Sequence, residues 1–259
     1  MTVPKNVRVR PPALIAHRGY ALRYPENTLE SLRAAVRAGA GYIEFDVQMT
    51  ADGVPVLLHD ADLWRTGQDE RVVMDLTLDQ LWEVEVTETR RLGPRFFGVQ
   101  APTLDDAVAL VREHREIAAF VEIKRESMRR FGVETIVDKV METLAPARDR
   151  CFVISLDPEA IALARARGAA AIGWVLSEWS EAALQEAKRI QPDYLFGNYR
   201  MIPGDAQLWS GPWRWALYEI VDVDLALELA TRGARFIETM AIAEMLADRR
   251  LAPGRRADD

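Results

Sequence analysis

The chain of 259 residues is 49% hydrophobic and 28% charged, a composition that excludes a disordered or low-complexity protein and predicts a buried core. Its net charge of −7 argues against a broad basic surface, so we expect no nucleic-acid partner, although a small anionic ligand needs only local positive charge. The single cysteine, Cys151, excludes an internal disulfide. The N-terminal sequence lacks the apolar core of a secretory signal, and no run approaches 18 apolar residues, so we expect no transmembrane segment and a cytoplasmic location.

Short apolar runs along the chain predict buried β-strands. In chain order they are Ala13–Ala16, Tyr42–Val47, Val54–Leu58, Ile117–Ile123, Cys151–Ser155, Ala170–Leu176, Tyr194–Phe196, Trp215–Ile220 and Ala234–Ile237. Amphipathic stretches with helical spacing separate most of these runs, and Asn27 with Glu30 three positions later predicts the start of the first helix.

Strands that alternate with helices indicate βαβ units and a parallel sheet. About eight such units fit the length, which alone allows one domain or two. The count favours an α/β fold of the (β/α)8, or TIM-barrel, type over an open doubly wound sheet. We therefore predict one domain over residues 1–259, with a small insertion after the second strand at about residues 60–100, and a solvated tail at Pro253–Asp259.

Three clusters of polar residues follow or interrupt the apolar strands. The first contains His17 and Arg18, the second runs from Glu44 and Asp46 to His59 and Asp60, and the third contains Glu122 and Lys124. A charged group at the end of a buried strand needs a partner, a metal ion or a catalytic role. In a (β/α)8 barrel the carboxyl ends of the strands form the catalytic face, so we expect these clusters to meet there.

Residues two apart on a strand point to the same face, so Glu44 and Asp46 are expected to project together. With Glu122 they would form three converging carboxylates, which repel one another unless a cation holds them. An all-oxygen site suits a hard divalent cation, either Mg²⁺ or Ca²⁺, better than zinc.

Basic and titratable groups accompany the three carboxylates. Arg18 and Lys124 are donors suited to a phosphate group, and His17 and His59 are two of only three histidines in the chain. Two histidines can share the proton transfers of phosphoester cleavage, while a metal ion and two cations offset the charge that develops on phosphorus. The third histidine, His114, lies in a charged helix end and is expected to be a surface residue.

Residues His17 to Thr66 carry a set of motifs in a defined order and spacing. The elements are HRG, PENT, E-x-D-V, T-x-D-G and HD-x-x-L-x-RT, and further elements follow at Ala101–Leu104, Val121–Lys124 and Ile172–Trp174. In this order they resemble the glycerophosphodiester phosphodiesterases, and the resemblance covers most of the chain.

The resemblance implies a (β/α)8 barrel with an inserted segment, and an enzyme that splits a small-molecule glycerophosphodiester into glycerol 3-phosphate and an alcohol. It implies that His17 and His59 are the acid and base, that Arg18 and Lys124 hold the phosphate, and that the divalent cation binds to Glu44, Asp46 and Glu122. Attack on phosphorus by water and attack by the neighbouring glycerol hydroxyl, through a cyclic phosphate, both stay open.

The second half of the chain departs from the family pattern. Tyr218-Glu219-Ile220-Val221 stands where W-T-V-N is typical, and Ile237-Glu238-Thr239 stands where I-x-T-D is common. Three residues are candidates for the pocket: Tyr218 as an aromatic wall, Trp174 at the end of a strand, and Glu26 as a group that orients another side chain. We expect the unusual segment 197–215 to contact the leaving alcohol. The sequence does not predict the oligomeric state.

Two alternatives remain. The first is a lysophospholipase D with the same catalytic groups and an apolar groove for the acyl chain. The second is a barrel that kept the phosphate site as a binding or regulatory module, which the altered region around Tyr218 suggests and the intact histidine pair opposes.

Overall fold

A computed structural model of the chain describes residues 10–204 and 206–251. The predicted tail at Pro253–Asp259 and the N-terminal segment before Arg10 lie outside the described residues. Within this described part, each helix is too short or too polar to cross a membrane.

Eight parallel strands close into a barrel, as the strand and helix pattern predicts. The strands, with one antiparallel strand β3 among them in chain order, are β1 Ala13–Ala16, β2 Tyr42–Met49, β3 Pro55–Leu57, β4 Ala118–Ile123, β5 Cys151–Ser155, β6 Ile172–Val175, β7 Tyr194–Asn198, β8 Arg214–Tyr218 and β9 Ala234–Thr239. The barrel order is β1-β9-β8-β7-β6-β5-β4-β2, and pairing between β1 and β2 closes it. The (β/α)8 fold is confirmed.

Helices cover the outside of the barrel and form part of the insertion. They are α1 Leu29–Arg37, α2 Trp64–Gly67, α3 Leu78–Leu81, α4 Thr89–Leu92, α5 Leu104–Glu113, α6 Arg125–Phe131, α7 Val133–Leu144, α8 Pro158–Ala166, α9 Glu181–Ile190, α10 Val223–Thr231 and α11 Ile242–Leu246. Short 3-10 turns lie at Val73–Asp75, Ala145–Arg150 and Tyr199–Met201.

Alternate residues of each barrel strand point inward and outward. Bulky aromatic rings fill the interior, where Phe120 contacts Tyr194, Phe196 and Phe236 with ring centroids 5.0 to 6.1 Å apart. The outward residues of β2, such as Ile43 and Phe45, pack in the larger core between the strands and the helices. This alternation turns Glu44 and Asp46 into the barrel, as expected.

Residues 50–103 form an excursion between β2 and α5 that contains β3. Strand β3 pairs antiparallel with β2, and Gly53 in the connecting turn has a φ of 81°, which favours glycine. The excursion has its own small core, in which Leu63, Val73 and Leu81 are fully buried. The insertion is thus a packed subdomain rather than a loose loop.

One local expectation is wrong. Helix α1 is capped by Thr28, whose hydroxyl accepts the Ser31 amide, and not by Asn27, which adopts a left-handed φ of 54°. Between β7 and β8, the described residues 199–204 and 206–213 contain a 3-10 turn and no α-helix, in the segment that the sequence already marks as unusual. Prolines and glycines, together with a stack of Trp179 on Trp209 at 4.0 Å, account for this irregular packing.

Candidate active site

A cavity of about 300 Å³ opens at the carboxyl ends of the barrel strands. Its polar lining includes five of the predicted site residues: His17, Arg18, His59, Glu122 and Lys124. Ile154, Leu156, Val175 and Phe196 supply apolar wall. Asn198, Tyr218, Glu219 and Glu238 complete the lining. The three polar clusters of the sequence therefore meet at one site.

Three carboxylates converge beneath the cavity. Glu44 and Asp46 on β2 and Glu122 on β4 place one oxygen each within 4.8 Å of the others. Burial raises the pKa of Glu44 well above its usual range, and the neighbouring charges of Asp46, Glu238 and Glu122 add to the rise. One oxygen of Glu44, Oε1, is buried and has no hydrogen-bond partner among the described residues.

Asp46 stays ionised because two cations face it. Lys124 Nζ lies 3.2 Å from Asp46 Oδ1, and Arg18 Nε lies 3.1 Å from Oδ2. Although burial alone would raise the pKa of Asp46, Lys124 and Arg18 hold it well below its usual range. Asn27 fixes Asp46 through two hydrogen bonds: Asn27 Nδ2 donates to the carboxylate Oδ2 at 2.9 Å, and the Asp46 backbone amide donates to Asn27 Oδ1 at 3.0 Å.

The turn after β1 directs Arg18 into the site. Arg18 and Gly19 both have positive φ, 52° and 78°, and a Cβ on Gly19 would lie 2.5 Å from Ser31 Oγ. Only glycine therefore fits at position 19 without displacing helix α1. The Arg18 amide donates to Glu44 Oε2 at 3.0 Å, and its guanidinium donates to Glu26 Oε1 at 2.9 Å.

His59 reaches the cavity by a different route from the one the strand pattern indicates. The strand before it, β3, is antiparallel and lies outside the barrel, so the chain returns from the β2–β3 turn to the level of Asp46, whose carbonyl accepts the Leu58 amide. Asp60 Oδ1 lies 2.7 Å from His59 Nδ1, and Arg65 ties Asp60 to Glu26 with bonds of 2.7 Å. Asp60 thus contacts both the His59 ring and Arg65.

His17 lies deeper and faces two acids. Its Nε2 is 4.0 Å from Glu44 Oε2 and 3.8 Å from Glu238 Oε1. Burial, assisted by the charge of Arg18, lowers the pKa of His17 to about 3, and burial beside Glu122 raises the pKa of Glu238 to about 8. With this lowered pKa, the His17 imidazole is neutral at neutral pH.

The residues present fit a divalent cation. Three buried carboxyl groups, Glu44, Asp46 and Glu238, and the partly buried Glu122 face two basic side chains, so acidic groups outnumber basic ones, and a divalent ion would stabilise their ionised forms. The unpartnered oxygen of Glu44 points to the same conclusion, because such an atom is costly to bury without a donor or a cation.

Comparison with known proteins places the chain in a family. The model of the glycerophosphoryl diester phosphodiesterase family matches residues 17–201, which is more than half of the chain and includes the two histidines of the cavity, His17 and His59. The chain belongs to this family. The resemblance of its motifs to the glycerophosphodiester phosphodiesterases is thereby confirmed.

Curated relatives carry the family name. A "Glycerophosphodiester phosphodiesterase 1" of Bos taurus is 34% identical over 147 residues, 57% of this chain and 43% of that protein. A "Glycerophosphodiester phosphodiesterase" of Caldanaerobacter subterraneus is 33% identical over 129 residues, 50% of this chain and 52% of that protein. The chain thus spans about half the length, or less, of these relatives of the family.

Solved structures of the family share the fold. A phosphodiesterase of Oleispira antarctica, in complex with the product sn-glycerol-3-phosphate, superposes with a TM-score of 0.81 at 23% identity, over 92% of this chain and 96% of that one. A glycerophosphodiester phosphodiesterase from Parabacteroides distasonis gives a TM-score of 0.74 at 23% identity, over 90% and 94% of the two chains.

The three candidate pocket residues lie at different places relative to the cavity. Tyr218 lines the cavity, and burial raises its pKa to about 12. Trp174 does not line it: Val175 takes the inward position on β6, so Trp174 points outward into the outer core, and that prediction is wrong. Glu26 lies behind the cavity wall, where it holds Arg18 and Arg65, in keeping with an orienting role.

Sequence reasoning missed Glu238 and Arg65 as site residues. Glu238 follows the same rule that selected Glu122, a charged residue near the end of a buried strand, but the predicted strand stopped at Ile237, one residue earlier. Arg65 lies in the HD-x-x-L-x-RT motif, yet nothing in the sequence shows that it bridges Glu26 and Asp60.

Proposed function

We propose that this protein is a divalent-cation-dependent phosphodiesterase that hydrolyses small-molecule glycerophosphodiesters to glycerol 3-phosphate and an alcohol. The observation that carries the proposal is one cavity lined by two histidines and two basic side chains, above three converging carboxylates. Membership of the family supports the reaction class.

In this proposal His17 and His59 share the proton transfers. One removes a proton from the nucleophile and the other donates one to the leaving alcohol, while Asp60 keeps the His59 ring in position. Arg18 and Lys124 hold the phosphate, because both line the cavity and both carry a fixed positive charge between the carboxylates and the open space.

Glu44, Asp46 and Glu122 would hold the divalent cation, Mg²⁺ or Ca²⁺, by oxygen atoms alone. When bound, it would supply Lewis-acid polarisation of the phosphoryl oxygens. Tyr218, with the adjoining rim residues Asn198 and Glu219, would contact the substrate on the side of the leaving alcohol.

The test is release of glycerol 3-phosphate from glycerophosphocholine, glycerophosphoethanolamine and a lysophospholipid, each with Mg²⁺, Ca²⁺ or a chelator. We expect release that needs the cation, and a loss of at least about 100-fold in kcat for His17→Ala and His59→Ala. His114→Ala is the matched control, since His114 lies outside the cavity lining and pairs with Glu116 at 3.1 Å.

Unchanged turnover in His17→Ala would contradict the proposal. Preference for the lysophospholipid would favour the lysophospholipase D alternative. Tight binding of glycerol 3-phosphate without turnover under either cation would favour the binding module.

A further inference from the structure

Glu238 adds a carboxylate that the family motif does not include. It lies on β9, is 3% exposed, and occupies the variable position of the I-x-T-D pattern. Its Oε1 lies 3.8 Å from His17 Nε2, and its carboxyl group lies close enough to Glu44 for a hydrogen bond when one of the two is protonated.

Two clusters of ligand atoms share Glu44. One consists of Glu44, Asp46 and Glu122, and the other of His17, Glu44 and Glu238, with the atoms of each within 4.8 Å of one another. Metal–ligand bonds of about 2.0 to 2.4 Å place two ligand atoms of one ion at most about 4.8 Å apart. Each cluster is therefore compact enough for one ion, and a bridging carboxylate is typical of centres with two ions about 4 Å apart.

One atom of the residue that the two clusters share lacks a hydrogen-bond partner. Glu44 is 1% exposed, and its Oε2 accepts the Arg18 amide while its Oε1 has no hydrogen-bond partner among the described residues. The His17 atom that faces Glu44 and Glu238 is Nε2. Bridging two ions would use both oxygens of Glu44.

The donor set of the second cluster differs from that of the first. An imidazole nitrogen with two carboxylate oxygens suits a borderline cation such as Zn²⁺, whereas three carboxylates suit Mg²⁺ or Ca²⁺. We propose that His17, Glu44 and Glu238 form a second divalent-cation subsite, selective for a Zn²⁺-like ion, that adjoins the all-oxygen cluster and shares Glu44 with it.

Occupation of this subsite has a consequence for proton transfer. The lone pair of His17 Nε2 that binds the ion is the one that would accept a proton, so the two events exclude each other. Excess Zn²⁺ would then inhibit the hydrolysis even when Mg²⁺ saturates the first cluster. This consequence rests on the proposed function, whereas the binding itself does not.

Calorimetric titration of the metal-stripped full chain with Zn²⁺, in the presence of saturating Mg²⁺, tests the subsite directly. We expect one Zn²⁺ per chain in the wild type and affinity at least about 10-fold weaker in Glu238→Gln. Glu219→Gln is the matched control, because Glu219 lines the same cavity but belongs to neither cluster, and it should bind Zn²⁺ like the wild type.

Equal Zn²⁺ affinity in the wild type and Glu238→Gln would overturn the proposal. Nitrogen-15 NMR of the imidazoles keeps the test decisive if the variant fails to fold, since the wild-type chain has only three histidines. Zn²⁺ should shift the His17 ring signals, and a shift confined to His59 or His114 would also overturn it. A wild-type chain that binds Zn²⁺ at this subsite but shows no hydrolysis with Mg²⁺ alone would contradict only the proposed function.

Discussion

The ionisation of Glu238 links stability to pH at the residue scale. Because its pKa is raised to about 8 in the folded protein from 4.5, the folded state at pH 6.5 still holds a proton that the unfolded state has already released. Metal-free protein should therefore lose stability as pH rises from 6.5 to 8, by about 1 to 2 kcal/mol from this group. The lowered pKa of His17, about 3 in the folded protein against 6.5, changes stability in the opposite direction, but mostly at pH values below 6.5.

Urea unfolding of the wild type and Glu238→Gln in chelator at these two pH values measures the effect. The variant should show the shallower dependence, and equal slopes would contradict the assignment.

Asp60 should govern the rate through His59. Asp60→Asn keeps the size of the side chain but removes the charge that binds His59 Nδ1 and Arg65. We expect kcat to fall about 10- to 100-fold with little change in KM, because the change disturbs an orienting group and not a substrate contact.

Glu116→Gln is the matched control for Asp60→Asn, since Glu116 forms a similar pair with the surface residue His114. A proportional rise in KM, with kcat intact, would assign Asp60 to substrate binding instead.

Most of the candidate site can be predicted from the sequence, because strand alternation and motif spacing are local properties. Glu44 and Asp46 follow directly from the two-residue period of β2. The prediction for Trp174 was wrong because the register of β6 with its neighbouring strands decides which of its residues point inward, and in this register Gly173 pairs with Tyr194. The bridge made by Arg65 joins residues 39 positions apart, and only the folded excursion sets it.

At the scale of elements, the insertion should behave as a separate packing unit. Leu81 is fully buried in its small core, so Leu81→Ala should cost about 2 to 4 kcal/mol. The loss should appear as faster proteolysis within residues 60–100 than within the barrel strands.

Leu195→Ala is the control, because Leu195 is equally buried but packs in the outer core of the barrel. Cleavage of Leu81→Ala at equal rates along the whole chain would show instead that insertion and barrel unfold together.

For the whole molecule, we expect a divalent cation to raise stability. The buried excess of carboxylates over basic groups is relieved when an ion binds, and an ion at 100 times its dissociation constant adds about 2.7 kcal/mol. The midpoint of thermal unfolding should rise with Mg²⁺ or Ca²⁺ and not with NaCl of equal ionic strength. Asp46→Asn should lose most of the rise, and an equal rise with NaCl would refute a specific site.

The barrel as a whole was predictable, since eight alternating units at this length have few other arrangements. The antiparallel direction of β3 does not follow from the alternation of strands and helices, because the tight turn that contains Gly53 sets it. A single domain over residues 1–259, a cytoplasmic location and the roles of the individual site residues stay predictions.

His17 and His59 belong to different parts of the architecture. His17 directly follows a barrel strand, whereas His59 follows the hairpin that leads into the insertion with its own core. The proposed acid–base pair is therefore divided between the barrel and the insertion. Exchange of residues 50–103 between members of the family would replace one of the two proposed proton-transfer groups while leaving the proposed cation ligands of the recipient barrel unchanged.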